Sequence, residues 1–133
     1  MTPVIVVFNR PGLDVGRQLQ GALQADLHVL AGRQIDGDVM FSDAGIHLRG
    51  LFVAGRPVIG ICAAGILIRL LAPVLADKQD EPPVIAVSAA GDAVVPLLGG
   101  HHMGNELARK IAALLACQPA ITCLLYTSDA ADE

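Results

Sequence analysis

A three-layer α/β fold, a mostly parallel sheet with helices on both faces, is predicted by three observations. Short β-branched apolar runs alternate along the chain with stretches whose apolar residues recur at helical spacing. The connections between successive runs reach a dozen residues or more, as the crossovers between parallel strands require. The composition is 53% hydrophobic but only 3% aromatic, so the core is built from Val, Ile, Leu and Ala, as expected of strands buried on both sides. At 133 residues the chain fits one domain large enough to bury its own core. The pattern is Rossmann-like, with one β-hairpin set into it.

Taken in order, PVIVVF (Pro3 to Phe8) is a buried strand that leaves through Asn9, Pro11 and Gly12. Asp14 is placed to cap a first helix, in which Val15, Leu19, Ala22 and Leu23 share a face and which ends near Ala25. LHVL (Leu27 to Leu30) reads as a short strand and AGRQIDGD after it as a loop. Asp43 to Gly55 is predicted helical, with Leu48, Leu51 and Phe52 inward. Val58 to Ile61 is a strand, and CAAG turns it into a helix that gathers Ile66, Leu67, Leu70, Leu71, Val74 and Leu75 in one arc, with Gly65, Arg69 and Ala72 opposite. Pro73 removes a helical hydrogen bond and predicts a kink or an early end. Val84 to Ser88, the turn AAGD and Val94 to Leu98 form the hairpin. A last helix runs from Asn105, with Leu107, Ile111, Leu114 and Leu115 on one face, and PAIT (Pro119 to Thr122) opens a further strand.

Several function classes are disfavoured. Nine Lys and Arg against thirteen Asp and Glu, a net charge of −4, with no basic run and few aromatic residues, argue against nucleic acid. Cys62, Cys117 and Cys123 form no C-x-x-C pair and are odd in number, so neither a disulfide framework nor a zinc site is indicated, and a reducing cytoplasm fits best. MTPVIVVFNRPG lacks the basic start and the long apolar run of a secretory signal. PVIGICAAGILIRLLAPVLA (Pro57 to Ala76) is long enough to span a bilayer. Arg69, costing about 2.5–3.5 kcal/mol near the centre of a spanning helix, and Pro73 make a strand, turn and helix the better reading.

Two loops could carry chemistry. GICAAG (Gly60 to Gly65) and GGHHMGNE (Gly99 to Glu106) each follow a strand, open a helix and contain glycines where backbone could approach a ligand. Neither is a P-loop or a G-x-G-x-x-G fingerprint, so a nucleotide is not implied. For Gly60 to Gly65 tight strand-to-helix packing is the plainer alternative. His101 and His102 read either as an exposed loop pair or as a general acid/base or substrate hydrogen-bonder; adjacent rings cannot easily share one metal. Asn105 also reads as a helix N-cap, Arg69 as a solvated charge, and His28 and His47 as structural or exposed. Since ligands of such sheets lie outside the carboxyl ends of the strands, both loops are expected to face one crevice.

GICAAGILIRLLAPVLADK followed by DEPPVIAVSAAGDAVVPLLGGHHMGNELARKIA resembles the N-terminal domain of the cobalamin biosynthesis protein G family, the cobalt-precorrin-5A hydrolases. The resemblance covers about Gly60 to Thr122, and residues 1–122 are taken as the domain. It implies an early corrin-pathway step in which water opens a δ-lactone on the tetrapyrrole's A ring and acetaldehyde leaves. It implies as substrate-binding residues Gly60, Ala63, Ala64, Gly65, Arg69, Lys78, Gly99, Gly100, Asn105 and Glu106, with Pro73 and Asp77 also matching. His101 or His102 would be the catalytic base; no metal ligands are implied. No cofactor is expected on the domain itself: cobalt enters only as part of the substrate. S-adenosylmethionine would matter only if the domain were fused to a methyltransferase.

The family's histidine loop has the common form S-G-H-x-G-G-A-N-E-L-A. The loop here is one residue shorter and looks more like the version fused ahead of precorrin-3B C17-methyltransferase. The resemblance therefore leaves an alternative, a corrinoid-binding module without catalysis of its own, and implies a further hydrolase-family or methyltransferase domain as partner. CLLYTSDAADE (123–133) breaks from the family pattern, resembles read-through of sequencing adapter and is expected to contribute little to the core.

Overall fold

The computed structural model describes residues 1–76, 81–100 and 103–122. Asp77, Lys78, His101, His102 and the tail from 123 onward, to which parts of the sequence reading apply, lie outside them. The strands are β1 (Val4–Val7), β2 (Asp26–Leu30), β3 (Val39–Phe41), β4 (Val58–Ile61), β5 (Val84–Val87) and β6 (Val94–Leu98). The helices are α1 (Leu13–Leu23), α2 (Ala44–Val53), α3 (Ala64–Leu71) and α4 (Gly104–Leu115), with 3-10 turns at Arg10–Gly12 and Ala72–Val74. The strands form one sheet in the order β3-β2-β1-β4-β5-β6. All neighbouring pairs are parallel except β5 with β6. The three-layer, mostly parallel α/β fold with one hairpin is therefore present as expected.

The sheet divides the core in two because successive side chains of a strand point to opposite faces. Ile5, Val7, Ile59, Ile61, Ile85 and Val87 pack against Val15 and Leu19 of α1 and Ala108, Ile111 and Ala112 of α4. Val4, Val6, Val58, Val84 and Ala86 pack against Leu48, Leu51 and Phe52 of α2 and Leu67 and Leu71 of α3. Every residue of β1, β4 and β5 is buried, which explains why these strands read as unbroken apolar runs.

Four local expectations are corrected, and one strand is added. Asp14 lies inside the first turn of α1, whose N-cap is Gly12; the 3-10 turn at Arg10–Gly12 starts the helix earlier than the capping rule suggests. β3, at Val39–Phe41, lies between the expected AGRQIDGD loop and the expected helix from Asp43, a stretch for which the sequence suggests no element. Its apolar run, Val39 to Phe41, is only three residues long and two of them are exposed; pairing with β2 makes it a strand. Ile66 is exposed because α3 buries the narrower Leu67 and Leu71 stripe. Asn105 is not an N-cap: α4 starts at Gly104 from Met103, whose φ is +72°. PAIT makes only an isolated bridge, Pro119 with Val94, since proline offers no N–H to a ladder. The effect of Pro73 is as expected: α3 ends at Leu71 and tightens into the 3-10 turn.

Candidate functional site

The chain order fixes where a ligand can enter. From β1 the chain steps through α1 to β2 and then β3 on one side, and returns through α2 to place β4 on the other side of β1. The loops after β1 and β4 thus diverge, leaving a crevice at the carboxyl edge where such folds bind ligands. A cavity of about 440 Å³ lies there, lined by Asn9 and Pro11 after β1, Cys62, Ala63 and Ala64 after β4, and Ser88 and Ala89 after β5. Its floor is apolar, with Ile61, Ala86, Val87, Ala93 and Val95.

Each wall has a local cause. Gly12 is required because a Cβ there would come within 2.8 Å of Ile61 Cγ2, so the loop after β1 lies directly on the end of β4. The hairpin wall is tied by Ser88: its Oγ accepts from the backbone N–H groups of Asp92 and Ala93, both at 3.0 Å, and donates to Asp92 Oδ1 at 2.7 Å. The Cys62 thiol is half-buried, and burial pushes its pKa up to about 11, which leaves it a neutral wall group at neutral pH and a poor nucleophile.

The mouth of the crevice is the start of α3. Here α2 and α3 differ instructively, although both open with Ala-Gly-Ile and carry Arg four residues after the glycine. Helix α2 is capped by Asp43, whose Oδ1 accepts from Ile46 N at 2.9 Å. In α3 the N-cap is Ala63, which has no side chain to accept. The positive end of α3 therefore faces the crevice without a protein carboxylate.

The residues expected to form the site are not all together. Ala63 and Ala64 line the crevice, and Gly65 and Arg69 follow on the same helix. Gly60 does not line it: a Cβ there would meet Leu67 side-chain atoms at 2.8 and 2.9 Å, so its smallness serves the packing of α3 on β4. Gly99 has φ +81°, and a Cβ on it would lie 2.5 Å from Pro83 N. Its own N–H donates to Glu81 Oε1 at 3.2 Å. Gly100 and Glu106 are exposed and Asn105 is partly so. The expectation of one shared crevice is overturned. Val94 pairs with Val87 and Leu98 with Val84, so β6 runs back and delivers Gly99, Gly100 and the start of α4 to the amino edge, opposite the crevice. Asn9 and Ser88 are crevice residues that the sequence reading missed.

Two histidines set aside in the sequence form a distinct structural unit. His28 is the one buried polar side chain among the described residues, and its Nδ1 is 2.7 Å from His47 Nε2. His47 stacks on Phe41 at 4.5 Å between ring centroids, tying α2 to β2 and β3. Burial lowers both pKa values; His28 is lowered further by His47 and Arg56, against the opposing pull of Asp26 and Asp38. Among the described residues no group of three or more potential metal ligands gathers, and no helix is long and apolar enough to cross a membrane.

Residues 46–124 match the family model described as Cobalamin synthesis G N-terminal. The chain belongs to this family. It is 29% identical over 126 residues to a cobalt-precorrin-5A hydrolase of Priestia megaterium, a match covering 89% of this chain and 34% of that protein. It is 40% identical over 75 residues to the Salmonella typhimurium hydrolase, covering 56% and 21%. The fold matches a cobalamin biosynthesis protein G homolog from Sulfolobus solfataricus with a TM-score of 0.66 at 19% identity, over 93% of this chain and 38% of that one. This Cobalamin synthesis G N-terminal domain thus spans about a third or less of the curated relatives it matches. The Priestia match also extends the likeness beyond the segment that carried the motifs.

Proposed function

We propose that the chain is the corrinoid-binding N-terminal part of a cobalt-precorrin-5A hydrolase acting in cobalamin biosynthesis, and that its carboxyl-edge crevice receives the substrate. The single observation that carries this reading is the family match combined with a crevice suited to the substrate's chemistry. A tetrapyrrole intermediate presents apolar ring edges and many carboxylates. The apolar floor fits the former, and the uncapped α3 N-terminus with Arg69 nearby fits the latter. A ligand carboxylate would stand where Asp43 stands in α2. Asn9 is available as a hydrogen-bonding group at the rim. In the reaction the family implies, water adds to the lactone carbonyl and the ring C–O bond breaks, leaving a carboxylate and a hydroxyethyl group. That group then loses its hydroxyl proton and leaves as acetaldehyde as its C–C bond to the macrocycle breaks, the bonding electrons staying on the macrocycle carbon, which is protonated.

The candidate bases His101 and His102 require a separate trial, because the residues flanking them in sequence, Gly100 and Met103, lie at the edge opposite the crevice. Incubation with cobalt-precorrin-5A, alone and with the remaining part of a hydrolase, is followed by acetaldehyde release and by binding. Release supports the hydrolase reading. Tight binding without release, with or without that part, would favour the non-catalytic module. His101→Ala and His102→Ala are expected to leave binding in the crevice intact, so any loss they cause will appear in turnover alone. Failure of the unaltered chain to bind any corrin polycarboxylate would end the proposal.

A further inference from the structure

We infer that Gly65 is a positioning residue: by lacking a side chain it lets Arg69 fold back along α3 and hold its guanidinium at the crevice mouth as an arm for a ligand carboxylate. This rests on the crevice reading above and assigns a task within it. A Cβ built on Gly65 would lie 2.9 Å from Arg69 Nη1, closer than real contacts allow. The guanidinium therefore occupies the space an alanine would fill, over the first turn of the helix and one residue from the Ala63 and Ala64 that line the crevice. Side chains in a helix lean toward its N-terminus, which favours this path.

The same arrangement in α2 provides a comparison within the molecule. Arg49 folds over Gly45, with Nη1 2.8 Å from the position of a Cβ, and donates from Nη1 to the Leu70 carbonyl at 3.0 Å. That arm has a structural task. Arg69 is exposed, and its side chain makes no hydrogen bond or ion pair with another described residue, in contrast to that of Arg49, so folding back ties it to no other element among the described residues. Glycine near the start of a helix is also a poorer helix former than alanine. Keeping it there costs stability and gives the arm its place.

The test compares binding of cobyrinic acid, a stable corrin polycarboxylate, by the full chain and three variants. Gly65→Ala should weaken binding about five-fold, the scale of one lost charge-assisted contact at a partly exposed site, while its melting temperature holds or rises. Arg69→Ala should weaken it similarly, and the double variant no further, because both changes remove one contact. With cobinamide, whose amides replace the carboxylates, the unaltered chain and Gly65→Ala should bind alike. Additive losses, or equal losses with both corrins, would show that Gly65 acts through helix packing and would overturn the inference. Cobyrinic acid binding unaffected by any variant would remove the arm and leave the crevice standing. No binding by the unaltered chain would remove both.

Discussion

His28 and His47 share one hydrogen bond at 2.7 Å inside the α2 layer, and a charge on either ring has little water to solvate it. In the unfolded chain both take up protons near pH 6.5; in the folded chain burial holds both pKa values below that. The unfolded state therefore binds more protons in this window. The stability is fully present above pH 6.5 and falls as the pH drops through the lowered folded values. Urea midpoints measured from pH 7.5 to 5 should decline, and in His28→Val/His47→Leu that decline should flatten; an unchanged slope would contradict the assignment. At Gly99 the left-handed φ and the 2.5 Å approach to Pro83 N both oppose a side chain. Gly99→Ala should cost roughly 2 kcal/mol or more, whereas Gly32→Ala, equally left-handed but in open space, should cost about 1 kcal/mol. Chemical denaturation would rank the two. The sequence made Gly99 visible as a glycine in a candidate loop, but the neighbour that explains it, Pro83, is brought there only by the pairing of β5 with β6. The His28–His47 contact was equally invisible, since the rings come from a strand and a helix nineteen residues apart.

At the scale of elements, the capping contrast between α2 and α3 sets stability against binding. Asp43→Ala should lower stability by about 0.5–2 kcal/mol, the usual value of an N-cap, without altering corrin affinity. Ala63→Asp should do the reverse, raising stability by up to about 1 kcal/mol while weakening cobyrinic acid binding, because its carboxylate would occupy the helix end proposed for the ligand. Thermal melts and titrations on the same samples would separate the two effects; tighter binding by Ala63→Asp would contradict the site. β1, β4 and β5 were readable because burial on both faces demands an unbroken apolar run. β3 was not, because its apolar run is only three residues long and, at the sheet edge, Val39 and Met40 stay exposed. The end of α3 at Pro73 was readable from chemistry alone, since a missing N–H acts wherever it stands.

For the whole molecule, the decisive feature is the direction of β6. The hairpin turn at AAGD was legible, and a hairpin necessarily reverses the next strand, so the chain's own turn sends the Gly99 to Glu106 loop to the amino edge. The expectation of two facing loops treated both as following parallel strands; the sheet order corrects it and leaves one crevice between the ends of β1, β4 and β5. Asn9 and Ser88 join that crevice only through this order, which local patterns do not encode. The most direct test is backbone amide NMR of the chain titrated with cobyrinic acid. Shifts concentrated at Asn9, Cys62 to Ile66 and Ser88, with Gly99, Gly100 and Gly104 to Glu106 unmoved, are the predicted result; shifts confined to the amino-edge loop, with the crevice silent, would contradict the account.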